Sequence, residues 1–315
     1  MTTTRKPTSL KIFLFKLLAF LVLIFCVDKL IGMQLKKFYF KQTSGLDYLT
    51  TYALEKTTAD ILILGSSRAV NIFNTAEFEK KTGLTCYNGG RYGEPIFYHL
   101  ALLKSALARY NPKVILLSFD AGNFSENSQA YDRLTVLLPY YNSHPEIRSI
   151  VDLKGPYEKL KLVSSIYPYN SLLLPIITGN TAYSKQKYAN TNGYIPIDKT
   201  IQGPLKTFDY TKDTVLDSVK INSYKSFIES CLHANIPLFI VCPPYMIRPI
   251  GTDPSITAGK AIAGEYHIPF LDYSRDSFYT SKPQLFADFR HLNADGVSYF
   301  AKAVLDTVTT YRFIK

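Results

Sequence analysis

Ile61-Leu62-Ile63-Leu64-Gly65-Ser66-Ser67-Arg68 is an unbroken apolar run that stops abruptly at Gly-Ser-Ser. A short continuous run of this kind, bounded by glycine, reads as a parallel strand buried on both faces. Four further segments have the same character: Leu84–Tyr87, Val114–Ser118, Leu238–Cys242 and Pro269–Leu271. Between them lie stretches with helical spacing, Ile96–Ala108, Thr214–Ala234, Ile256–Glu265 and Ala294–Tyr311. In the last, Val297, Phe300, Ala301, Val304, Leu305 and Val308 recur every three to four residues. Asn111-Pro112 and Asn235-Ile236-Pro237 punctuate helix ends just before strands. Strands alternating with helices predict an α/β fold, a parallel sheet sandwiched between helices.

In such sheets chemistry collects at the carboxyl ends of the strands, which is where Ser66 and Ser67 fall. A serine there needs a base. The stretch Ala287–Gly296 reads Ala-Asp-Phe-Arg-His-Leu-Asn-Ala-Asp-Gly. Asp288 and His291 sit three residues apart before an amphipathic helix, so one turn can present an imidazole and the carboxylate that orients it. Of the five histidines (His99, His144, His233, His267 and His291), only His291 has both a carboxylate three residues before it and a helix start after it. Ser67 as nucleophile competes with Ser66 for the role and with a plain helix-capping role. Asp288 also has a capping role open to it.

These blocks resemble those of the SGNH/GDSL hydrolases. Gly65-Ser66-Ser67 is similar to that family's Gly-Asp-Ser block, and the alignment selects Ser67 as nucleophile. Asn88-Gly89-Gly90-Arg91-Tyr92-Gly93 is similar to its second block, in which a glycine follows an asparagine by five residues. Ala287–Gly296 is similar to its closing Asp-x-x-His block. The likeness runs in short blocks from about Asp60 to Tyr311. It implies a flavodoxin-like sheet, catalysis by Ser67, Asp288 and His291, and an oxyanion hole from the N–H groups of Ser67 and Gly93. The third block departs from the family. Asp120, in Ser118-Phe119-Asp120-Ala121-Gly122-Asn123, stands where an asparagine donor is expected. A carboxylate accepts hydrogen bonds and does not donate them. Asn123 is the replacement donor that the loop offers, with Arg68 as the alternative. Arg68 is also a possible substrate contact or an ion-pair partner of Asp120. The Gly-Ser-Ser variant resembles membrane-anchored members that serve cell-envelope polymer acylation.

The 315 residues are 47% hydrophobic and 14% aromatic, the composition of a folded chain, with 24 Tyr, 20 Phe and no Trp. The net charge of +11 is concentrated at one end. Residues 1–41 hold eight Lys/Arg and one acid, a surplus of seven, and the remaining 28 basic and 24 acidic residues leave +4. That distribution argues for a basic flank on a membrane segment, not for nucleic acid. The apolar run Ile12–Val27, extended back to Leu10, reaches the ~17–20 residues that a spanning helix requires. No small-x-small cleavage site follows Val27, so residues 12–33 are expected as an uncleaved anchor. Four basic residues precede Leu17 and four follow Val27, and the short leading segment favours the amino terminus inside. The protein is then single-pass, with its catalytic domain in the periplasm or at the cell surface.

The expected organisation is a tail and anchor at 1–35, a connector at 36–59 and an α/β domain at 60–315. The stretch 124–212 breaks the strand–helix rhythm with seven prolines and many tyrosines, and is expected as an insertion forming a lid or substrate wall. A small independent domain is the other reading of it. Cys86, Cys231 and Cys242 show no spacing that demands a pair and read as buried hydrophobes, while Cys26 lies in the anchor. No metal-ligand spacing and no phosphate-binding glycine loop is visible, so no cofactor is expected. The functional expectation is a serine esterase or O-acyltransferase acting on acylated envelope glycans or related acyl esters, with envelope-assembly proteins as possible partners. The alternative is a catalytically silent protein that keeps the fold to bind glycan or assist polymer assembly. Asp120 favours that alternative, and the Ser67/Asp288/His291 set opposes it.

Overall fold

A computed structural model describes residues 10–181, 192–212 and 214–310. The first nine residues of the expected tail, residues 182–191 of the expected insertion and Tyr311 lie outside the described residues.

Five parallel strands form the central sheet: β1 (Ile61–Leu64), β2 (Cys86–Asn88), β3 (Val114–Ser118), β5 (Leu238–Cys242) and β7 (Phe270–Asp272). Their spatial order is β2-β1-β3-β5-β7. Ranked by position in the chain, that is the 2-1-3-4-5 order of flavodoxin-like sheets, whose direction of winding reverses between β1 and β3. Ile61 pairs with both Cys86 and Val114, Ile115 with Leu238, and Ile240 with Phe270.

Side-chain alternation divides the sheet between two cores. Leu62, Leu64, Ile115, Leu117, Leu238 and Ile240 pack against α2 (Leu46–Glu55), α5 (Ile96–Leu107) and α6 (Ser218–His233). Ile61, Ile63, Val114, Leu116, Phe239 and Val241 pack against α3 (Ser67–Ile72), α4 (Thr75–Thr82) and α8 (Ala294–Thr310). With both faces covered, every residue of β1, β3 and β5 is buried. Each large apolar side chain so placed contributes about 1.5–3 kcal/mol. Cys86, Cys231 and Cys242 are free thiols in these cores. Asp217 caps α6 through Val219 N–H at 2.9 Å, and Asp253 caps α7 (Pro254–Glu265) through Ile256 N–H at 2.9 Å. A separate pair, β4 (Lys206–Asp209) and β6 (Ile247–Ile250), lies outside the main sheet.

At the amino end, α1 (Leu10–Lys41) is one helix long and apolar enough to cross a membrane. Its side chains are exposed from Leu10 through Val27. Beyond it, the stretch read as a connector is helical. Tyr39 at the end of α1 is buried, and α2 packs against the core. The physical reason is that Thr50 and Thr51 are buried with their hydroxyls bonded to Tyr98 at 2.9 Å and Tyr140 at 2.6 Å, so polar residues occupy core positions. Within the described part of 124–212, residues 129–179 are a series of short helical turns, and β4 follows them. Leu134, Leu137, Tyr140, Ile147 and Val151 join the same core as α5, so the segment does not carry a core of its own.

Candidate active site

Strand β1 delivers the chain to a sharp turn at the switch point of the sheet. Gly65 has φ +151°, and an added Cβ would lie 2.6 Å from Ser118 Cβ, so neither the conformation nor the space suits another residue. Ser66 then caps α3, its Oγ accepting from Arg68 N–H at 3.4 Å. The same hydroxyl donates to Asp120 Oδ2. Capping therefore falls to Ser66, and Ser67 is the first residue of the helix. Its Oγ lies 2.9 Å from His291 Nε2.

His291 and Asp288 occupy a tight reversal closed by the Phe286–Leu292 bridge and by Ala287 N–H donating to the His291 carbonyl at 2.8 Å. Asp288 Oδ1 accepts from the N–H groups of Arg290 at 2.8 Å and His291 at 3.0 Å. His291 Nδ1 lies 3.0 and 3.1 Å from the two Asp288 oxygens. Burial opposes ionisation of Asp288, but the His291 side-chain bond and these backbone N–H groups outweigh it and bring its pKa down to about 2. An ionised Asp288 accepts only, so Nδ1 carries the proton and Nε2 is left as acceptor for the Ser67 hydroxyl. Asp288 does not cap α8. Asn293 does, its Oδ1 accepting from Gly296 N–H at 3.1 Å while its amide donates to the Gln284 carbonyl at 2.7 Å. Met246 N–H donates to Phe289 O at 3.1 Å and ties the reversal to the chain after β5.

The Asn88–Gly93 loop lies against the serine turn. Arg91 N–H donates to the Gly65 carbonyl at 3.0 Å. An added Cβ on Gly90 would meet Ala69 Cβ at 2.8 Å. Asn88 locks the arrangement, its amide donating to the carbonyls of Ala69 at 2.7 Å and Phe73 at 3.1 Å. Gly93 has φ +69°, and Arg133 from the insertion lies against it, Nη1 2.7 Å from where a Cβ would be. Asn123 is half-buried in the turn after β3, with its N–H donating to the Asp120 carbonyl at 3.1 Å.

Arg68, considered from the sequence as a substrate contact, is 2% exposed and held from three sides. Its guanidinium donates to the Pro244 carbonyl at 2.8 Å, approaches Asp120 Oδ1 at 3.4 Å, and lies 3.6 Å from the centroid of the Tyr245 ring. It braces the loops after β1, β3 and β5 from within.

A cavity of about 750 Å³ opens beside this centre, lined by Tyr210, Tyr245, Arg248, Asp253 and Arg275 among others. A smaller one of about 160 Å³ shares Tyr210, Tyr245 and Asp253 and reaches Phe289 and Arg290, next to His291. Neither is lined by Ser67 or His291 themselves. Asp253, Asp272 and Asp276 on the larger cavity bond backbone N–H groups of their own loops. Sequence reasoning did not single out Tyr245 or Asn293, and it weighed Ser66 as a rival nucleophile and not as the cap of α3. The usable signal for Tyr245 was its place in Cys242-Pro243-Pro244-Tyr245, at the carboxyl end of a strand. Among the described residues, no three His, Cys, Asp or Glu side chains group as metal ligands do.

No family model matches the chain, and no curated protein does. Among solved structures, the chain is similar to a presumed acylhydrolase from Bacteroides fragilis. The identity is 13% and the TM-score 0.40, over 80% of this chain and 86% of that one. At that TM-score the fold assignment rests on the sheet and helices described above.

Proposed function

We propose that this chain is a serine-dependent ester hydrolase or O-acyltransferase of SGNH type, with Ser67 as nucleophile, His291 as general base and Asp288 as the group that orients it. The observation that carries the reading is the 2.9 Å contact between Ser67 Oγ and His291 Nε2, with Asp288 on the opposite ring nitrogen. In the first step Ser67 Oγ attacks the acyl carbonyl carbon and its proton passes to His291 Nε2. The ester C–O bond then breaks, and the departing alkoxide takes that proton, leaving an acyl-serine. In the second step water or a sugar hydroxyl gives a proton to His291 and attacks the acyl carbon. Acid or a new ester is released, and Ser67 recovers its proton. Asp288 remains ionised and stabilises the imidazolium formed in each half.

The N–H groups of Ser67 and Gly93 and the Asn123 side chain are the proposed oxyanion donors. Asp120 takes no part, since its carboxylate is turned to Ser66 and Arg68. The proposed substrate is an acylated envelope glycan or a related acyl ester. With α1 as anchor, the domain works outside the cytoplasm.

Asp120 is also what favours a second reading, in which the fold is kept for glycan binding or polymer assembly without chemistry. Labelling of the full-length protein by a fluorophosphonate separates the two. Under the catalytic reading a stoichiometric adduct forms on Ser67, is absent in Ser67→Ala and is much slowed in His291→Ala. Equal labelling of wild type and Ser67→Ala, or none of either, transfers the case to the binding reading.

A further inference from the structure

Residues 163–166 are fastened to α1 at the level of Asp28 and Lys29. The Asp28 carboxylate accepts from the N–H groups of Ser165 at 2.7 Å and Ile166 at 3.3 Å. Lys29 Nζ donates to the Val163 carbonyl at 2.8 Å and to Ser165 Oγ at 2.9 Å. One turn further on, an added Cβ on Gly32 would lie 2.4 Å from the Ser165 carbonyl carbon, so loop backbone and helix meet without a side chain between them. The contact continues upward, with Asn180 Nδ2 donating to the Phe38 carbonyl at 3.1 Å.

That level coincides with the edge of a bilayer. α1 is exposed without a break from Leu10 to Val27, about 27 Å at ~1.5 Å per residue against a hydrocarbon core of about 30 Å, and Leu30, Ile31 and Met33 are exposed just past it. Asp28 and Lys29, and the loop bonded to them, therefore sit at the headgroup boundary. Outside α1, twelve large apolar side chains are exposed among the described residues, and three of them, Tyr157, Leu160 and Val163, fall in the short segment that leads into this contact. Leu160 is 70% exposed. Their outward aim is enforced from behind. Buried Glu158 accepts from Lys161 Nζ and Tyr167 Oη at 2.7 Å each. Lys159 and Lys161 are exposed beside the apolar tips, and Lys36, Lys37 and Lys41 are exposed on α1 above the boundary.

We propose that residues 157–163 form a second membrane contact, an interfacial foot seated in the same leaflet that α1 leaves. The occupant of this apolar face is the lipid surface itself. It is continuous with the lipid-facing side of α1, and its lysine rim suits anionic headgroups. Two contacts in place of one fix the tilt of the domain and hold the Ser67 centre at a set height above the bilayer. The proposal rests on the reading of α1 as a membrane anchor.

The chain has no tryptophan, so each introduced one reports alone. Full-length Leu160→Trp, Tyr157→Trp, Leu21→Trp and Tyr299→Trp are reconstituted into phosphatidylcholine–phosphatidylglycerol vesicles. The lipids are brominated either near the glycerol or near the methyl end of their chains. Leu160→Trp and Tyr157→Trp should lose about half their emission to the glycerol-end bromines and much less to the methyl-end ones, since an interfacial face sits ~5–10 Å into the headgroup boundary. Leu21→Trp should be quenched more by the methyl-end bromines, and exposed Tyr299→Trp, on α8, by neither. If Leu21→Trp is quenched while Leu160→Trp and Tyr157→Trp behave like Tyr299→Trp, the foot is overturned and the anchor stands. The same result follows if a protein partner covers the face. If Leu21→Trp escapes quenching, the anchor reading fails and the foot with it.

Discussion

Ser66 Oγ donates to the carboxylate of Asp120, across the gap between the loops that follow β1 and β3. The contact gives adjacent serines separate tasks. Ser66 caps a helix and holds a carboxylate, while Ser67 faces His291. It also turns Asp120 toward Arg68, a guanidinium with 2% exposure that needs a negative partner.

Replacing Asp120 by asparagine keeps the shape and removes the charge facing Arg68. The variant should lose about 1–3 kcal/mol of stability, the usual cost of leaving a buried charged group under-bonded. Thermal melting in detergent measures it. A melting point equal to wild type would show that Pro244 and Tyr245 alone satisfy the guanidinium. Ser66→Ala should cost about 1 kcal/mol as a lost cap and still form the fluorophosphonate adduct on Ser67.

The second prediction concerns the carboxylate behind the imidazole. With its pKa near 2, Asp288 stays ionised throughout the working range. The folded value lies below the ordinary 3.8, so the stability it contributes is present above pH 3.8 and is lost as pH falls through about 2. A fall in turnover between pH 7 and 4 should therefore not track Asp288. Asp288→Asn should lower kcat about 10⁴-fold with the fold intact, because an amide no longer enforces the tautomer that leaves Nε2 as base. Retention of most of the turnover would remove Asp288 from the mechanism.

Glu94 gives a pH dependence of opposite sign. Burial raises its pKa from 4.5 to about 7, with Arg91 and Arg133 opposing and Asp47 reinforcing. The folded state then holds the proton more tightly than the unfolded chain. Stability should be highest below pH 4.5 and decline as pH rises to about 7, by about 3 kcal/mol at most. Glu94→Gln should flatten this slope between pH 5 and 8. An unchanged slope in the variant would place its origin elsewhere.

The strands were legible because burial on both faces leaves a local mark. Ile61–Leu64, Val114–Ser118 and Leu238–Cys242 have the bounds that the apolar runs predict. The edge strands shift. Thr85 is engaged by the Asp60 carboxylate at 3.0 Å, and the β2 ladder begins at Cys86. Helix α2 was hidden because Thr50 and Thr51 are core residues whose polarity is satisfied by tyrosines far along the chain. The docking of Ser165 on Asp28 leaves no local pattern either, since the partners are 137 residues apart. At the candidate site, spacing drew out Asp288 and His291 and the family resemblance chose Ser67 over Ser66, and the fold sets the three side chains in contact. The enclosure of Arg68 was not, because it depends on Pro244 and Tyr245, 176 and 177 residues downstream.

The close approach at Gly32 makes the docking of the insertion testable. A Gly32→Val side chain has no space against the Ser165 backbone. Overpacking of this kind costs about 1–3 kcal/mol, and here it is relieved by releasing the loop. The amides of Ser165 and Ile166 should then exchange with deuterium much faster than in wild type, while those of β3 remain protected. Equal protection of Ser165 in both proteins would show that the loop is held without α1.

The last prediction concerns the donors that receive the oxyanion. With Asp120 engaged by Ser66 and Arg68, the candidates are the Ser67 and Gly93 N–H groups and the Asn123 side chain. Gly93 is a poor site for a clean test, because its φ of +69° and the Arg133 guanidinium against it make any substitution disruptive. Asn123 is the better site. Its backbone N–H bond to Asp120 survives truncation of the side chain, so Asn123→Ala preserves the turn. Losing one oxyanion donor typically costs about 10²–10³ in kcat, and Asn123→Ala should lower turnover of a model acetyl ester by about 10²-fold with little change in melting point. Unchanged turnover would clear Asn123 and leave the oxyanion to the two N–H groups. If Ser67→Ala also left turnover unchanged, the measured hydrolysis would not arise at this centre, and the protein would be a binder built on a hydrolase-like sheet.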